Sequence, residues 1–233
     1  MADGWRRKSE HLKKVSVLIS VVVKFILIYK QCRKDTIMTS VSRLDQAYAA
    51  FDAVNRTDPN TLTWQGEDQP RELFLATKLT EWVLTLEPAA SEPLQLASRC
   101  QHIGRWQIPR GDYPEGRIGY LTWRKALAHH HADLASTMLR ELDYDENTIE
   151  RVQAILLKRG IKQDADVQVM ENALCLVFLQ YQFESFRLQN EEKIVGIIQK
   201  SLLKMDEAGR QHALGLEYSP AGRAVINEAL SGL

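Results

Sequence analysis

Four residues able to bind a metal or move a proton interrupt stripes that are otherwise apolar. Glu72, Ala76, Leu79, Val83 and Leu86 recur at three and four, so Glu72 heads one helix face. Leu121, Ala128, His131, Ala135, Met138 and Leu142 form a second face, with His131 at its middle. Val167, Met170, Leu174, Phe178 and Tyr181 form a third, with Glu171 and Cys175 beside it. His102 follows the apolar set Leu94, Leu96, Ala97 and Cys100. A carboxylate buried alone costs several kcal/mol, so such groups are paired, protonated or metal-bound. Two imidazoles and two carboxylates suit a divalent iron, manganese or zinc ion. Glu72, His102, His131 and Glu171 are therefore the candidate metal ligands. The competing expectation for each alone is ordinary: a core histidine bonded to a carbonyl, or a first-turn carboxylate favoured by the helix dipole. In the triplet His129-His130-His131, successive residues point about 100° apart and cannot share one ion.

A second chemistry surrounds His102. Arg99, Arg105, Arg110, Arg117, Arg124 and Lys125 alternate with Trp106, Tyr113, Tyr120 and Trp123. Guanidinium forks suit phosphate or carboxylate, and aromatic rings can stack a base. Arg105, Arg110, Arg117, Arg124 and Trp106 are the candidate anion-binding residues. The alternative is a solvated loop whose arginines pair with acidic neighbours. His102-Ile103-Gly104-Arg105 is similar to a signature of class I aminoacyl-tRNA synthetases, but that signature belongs to an α/β nucleotide fold absent here.

The elements that must position these groups are helices. Leu44, Tyr48, Phe51 and Val54 begin the pattern, which ends at the turn Thr57-Asp58-Pro59-Asn60. A loop over 61–69 with a short extended piece at Thr61–Trp64 precedes a helix opened by Pro70. Helices are expected from Pro93 to Ile103, Gly119 to Leu142, Asp145 to Gly160, Asp166 to Phe186, Glu191 to Met205 and after Ser219-Pro220. No βαβ alternation or internal repeat is present. The fold class is all-α, a single domain of about eight helices.

The chain has 233 residues and a net charge of zero, from 30 basic and 30 acidic residues. That balance argues against a dedicated nucleic-acid binder. It hides an asymmetry: residues 1–37 carry +6 and the remaining 196 carry −6. Within the first part, Val15–Tyr29 is strongly apolar but shorter than a membrane span and holds Lys24. It reads as an extension outside the fold, as an anchor, or as a core element; the abrupt change in composition at Met38 favours the first. The domain is then 38–233, and membrane contact is expected only if that segment belongs to the native chain. Cys32, Cys100 and Cys175 lack paired spacing and suit a reducing, cytoplasmic setting.

The segments AYAAFDAVNRTDPNT, RELFLATKLTEW, LASRCQHIGRWQIPRGDYPEGRIGYLTWRKAL and ENALCLVFLQYQFESF resemble the uncharacterised family called DUF4202, over nearly all of residues 44–230. The layout also resembles a diverged HD-type phosphohydrolase domain. There His102 and Gln101 would stand at the paired Asp and His positions, Glu72 at the first His and Glu171 at the last Asp. His131 resembles a residue of an inserted metal segment, and Lys158 stands where another His can occur. No His-Asp dipeptide exists in the chain. These features imply a metal-dependent hydrolase of a phosphorylated or nucleotide-like small molecule. The alternative is a non-catalytic helical module binding an anionic ligand, RNA or a protein through the arginine-rich loop. No nucleotide-cofactor motif is present.

Overall fold

The computed structural model describes residues 41–233. The expectations for Val15–Tyr29 and for the extension 1–37 lie outside the described residues. Ten α-helices are present among those residues: α1 (Arg43–Asn55), α2 (Arg71–Leu86), α3 (Glu92–Cys100), α4 (Gly116–Glu141), α5 (Glu146–Leu156), α6 (Ala165–Tyr181), α7 (Phe183–Gln189), α8 (Ile194–Lys204), α9 (Glu207–Gly215) and α10 (Pro220–Ser231). The mostly α class is as expected. Among the described residues, no helix is long and apolar enough to cross a membrane.

Helix starts follow capping chemistry. The hydroxyl of Ser42 accepts from the Asp45 amide at 3.0 Å. Ser91, Asp145, Asp164, Asp206 and Ser219 cap α3, α5, α6, α9 and α10 in the same way. Pro70 has no side chain to offer α2, and Asp58 supplies the cap from a distance: its Oδ2 accepts from the Glu72 amide at 3.0 Å.

Two cores share α6. The first gathers α1 to α6 around Phe51, Leu94, Leu96, Ile103, Met138, Leu139 and Met170. The second joins the other side of α6 to the C-terminal helices through Phe183, Ile194, Ile198, Leu202 and Ile226. Helix α2 lies between α3 and α6, and α4 packs on α5 and α1.

Four differences from the sequence expectations have local causes. The loop at 61–69 is a hairpin, Thr61–Trp64 (β1) antiparallel to Glu67–Pro70 (β2), turned by Gln65 and Gly66 at positive φ. The helix expected from Asp166 to Phe186 breaks at Gln182, where φ reaches −127°. Helix α9 was hidden by Gly209, whose missing side chain lets the Asn172 amide approach. Helix α4 begins three residues earlier than expected, and Leu121, placed on a core stripe, is 54% exposed because the outer half of the helix leaves the core.

That early start depends on Gly119, where an added Cβ would lie 1.8 Å from the Pro114 carbonyl oxygen. Because the obstacle is backbone, Gly119→Ala is expected to cost at least about 2 kcal/mol in urea unfolding. An unchanged midpoint would mean that this turn is not packed as described.

Candidate functional site

Three of the four candidate ligands come together where α2, the end of α3 and the middle of α4 meet. Glu72 Oε2 lies 3.8 Å from His102 Nδ1. The His102 and His131 rings are 5.8 Å apart, centroid to centroid. His131 Nδ1 is 2.8 Å from the Ile103 carbonyl oxygen. A carbonyl only accepts, so Nδ1 carries the proton and Nε2 keeps its lone pair. Nε2 of His131, Oε2 of Glu72 and Oε1 of Gln101 are buried without a hydrogen-bond partner among the described residues.

Local backbone sets this geometry. Gly104 adopts φ +64° after α3, so the chain turns back and presents Arg105 at the start of a short 3-10 turn. The Gly104 amide donates to Asn55 Oδ1 at 3.4 Å, tying the turn to α1. Arg105 Nε then lies 3.8 Å from Glu72 Oε1. The same guanidinium stacks 5.2 Å from the Trp123 ring centroid, and Trp123 is fixed by donating to the Ile108 carbonyl.

The electrostatics are those of neutral acids and bases beside fixed cations. Burial raises the Glu72 carboxyl from 4.5 to about 7, with Arg105 and Arg71 opposing it in part. Burial takes His131 down to about 3, despite its bond to Ile103. His102 keeps 31% of its side chain exposed. Burial of the rest, then Arg105, His131, Arg124 and Lys158, hold its pKa well below the ordinary value. The Glu72–His102 contact is too long for a hydrogen bond and does not ionise the pair.

Beside His102 is a cavity of about 30 Å³. That is room for about two waters. Gln101, His102 and Gln182 give it polar groups, and Leu79, Leu174 and Val177 an apolar wall.

Glu171 is only 3% exposed and is paired with two lysines: Lys158, and Lys204 at 3.5 Å. Burial pushes its pKa up, and the two lysines more than offset that. Among the described residues, no group of three or more His, Cys, Asp or Glu side chains is arranged to hold a metal ion. The residues present thus do not fit the four-ligand centre of Glu72, His102, His131 and Glu171. Glu171 is neutralised by ammonium groups, and the Arg105 guanidinium stands beside Glu72, where it would repel a metal cation.

The candidate anion-binding residues also separate. Arg105 and Arg124 bear on His102. Arg110 instead donates to the Tyr113 carbonyl at 2.8 Å, closing its own loop. Trp106 packs half-buried against the first core. Arg117 is exposed on the outer half of α4. Sequence reasoning missed Asp58, Asn55 and Lys204, which act over long sequence separations; the turn Asp58-Pro59-Asn60 signalled only a chain reversal.

A family described as "Domain of unknown function (DUF4202)" matches residues 45–226. The chain belongs to the DUF4202 family. No curated protein and no solved structure matches it. The matched region of this DUF4202 chain runs from α1 into α10 and contains every residue of the cluster described above.

Proposed function

We propose that this protein binds the anionic group of a small phosphorylated molecule at Arg105 and Arg124, and that Glu72 exchanges a proton with that molecule during its hydrolysis. The observation that carries this reading is the contact of Arg105 with a carboxyl that burial raises to about 7, beside two histidines held neutral. Below that value Arg105 no longer faces an ionised carboxylate at Glu72. A group poised near neutral pH is suited to give and take protons. His102, partly open to solvent, forms the polar edge between the surface and the cavity, which is large enough for an attacking water. The substrate sits outside that cavity, on the side of Arg105 and Arg124. The layout's resemblance to HD-type domains is in keeping with a hydrolase, although the chemistry proposed here runs through the chain's own groups.

Titration calorimetry with inorganic phosphate tests the binding step. Wild-type protein is expected to bind phosphate. Arg105→Met is expected to weaken it about ten- to a hundred-fold, as loss of a charge-assisted bond should. Equal binding by the variant would overturn the assignment. Phosphate binding without release of phosphate from any phosphomonoester would favour the non-catalytic module. Stoichiometric iron, manganese or zinc in the purified protein would contradict the metal-free chemistry.

A further inference from the structure

The outer half of α4 is the most exposed apolar feature among the described residues. Ile118 is 83% exposed, Leu121 54% and Tyr120 45%. From Gly116 to Ala126, Gly119 alone is buried. A soluble surface carries scattered apolar residues without consequence, but these occupy one end of one helix.

Their neighbours are cationic. At about 100° per residue, Arg124, Arg117, Leu121, Lys125 and Ile118 fall within an arc of about 120°. Gly119 and Ala126 lie on the opposite side, toward the protein. Arg117, Arg124 and Lys125 are exposed. No acidic residue occurs between Gly116 and Ala132, in a body whose net charge is −6. The face thus combines side chains that prefer hydrocarbon with side chains that prefer anions, on a helix end projecting from the core.

We propose that the outer half of α4 docks on an anionic lipid surface. Ile118 and Leu121 enter the interface, and Arg117 and Lys125 pair with the headgroups. The match in charge selects this occupant. A second copy meeting this face with its own would bring Ile118 and Leu121 together but would also set Arg117 and Lys125 against their like-charged counterparts. The contact is interfacial rather than spanning, and it stands independently of the hydrolase reading.

The test is co-sedimentation of the full chain with vesicles of phosphatidylcholine alone or with about one third phosphatidylserine. Binding is expected to the anionic vesicles and to fall sharply in high salt, as screening requires. Ile118→Asp with Leu121→Asp, and separately Arg117→Glu with Lys125→Glu, are each expected to weaken it at least about ten-fold. The positions are exposed, so urea unfolding of both variants should match wild type. Binding unchanged in the first double variant would overturn the proposal and place the contact elsewhere in the chain. So would equal binding to neutral vesicles. So would a wild-type dimer that the first double variant turns into a monomer, which would assign the face to a second copy.

Discussion

Replacing Glu72 with glutamine is expected to make the protein more stable at pH 8 and to leave it nearly unchanged at pH 4.5. The carboxyl titrates near 4.5 when unperturbed and is raised to about 7 by burial in the fold. The folded chain therefore holds this proton more tightly than the unfolded chain. The stability contributed is full below pH 4.5 and is lost as pH rises through 7, about 3 kcal/mol in all. Glutamine copies the protonated shape and does not titrate. Urea unfolding of the variant at pH 8 should exceed that of wild type by up to about 3 kcal/mol. His131 runs in the opposite direction. Its folded value of about 3 lies below the ordinary imidazole value of 6.5, so its contribution is full above 6.5 and is lost as pH falls toward 3. The difference between variant and wild type isolates Glu72 from that background. A variant less stable than wild type at pH 8 would show that the ionised carboxylate is welcome there.

The second large effect concerns Glu171. Lys158→Met is expected to cost about 3 kcal/mol, because it leaves a buried carboxylate with Lys204 alone. Lys158→Met combined with Glu171→Leu should recover most of that loss, since removing both charges removes the desolvation cost with the attraction. A double-mutant cycle by urea unfolding gives the coupling directly. A single variant as stable as wild type would mean that Lys204 suffices or that water reaches Glu171.

The sequence made part of this legible. Three-and-four spacing gave most helices, and the same spacing exposed Glu72, His131 and Glu171 as polar intruders on apolar faces. All three are buried in the structure. What spacing could not give is what each polar group meets. Lys158 reaches Glu171 after α5 ends, from a residue at positive φ, and Lys204 comes from the end of α8. Both are tertiary events with no local signature. The same limit explains Asp58, which caps α2 across the hairpin. It also explains why the arginine-rich run divided: Arg105 turned inward at Gly104, while Arg110 closed its own loop and Arg117 stayed outside. Leu121 shows the converse error, since a periodic stripe continues on paper past the point where the core ends.

Carbon-13 NMR of the side-chain carboxyls, followed across pH, tests the account at its centre. The Glu72 carboxyl is expected to titrate at about 7, apart from the exposed glutamates. A Glu72 carboxyl that titrates at its ordinary value near 4.5 would contradict it, because the group would then be a fixed anion at neutral pH and could not exchange a proton there.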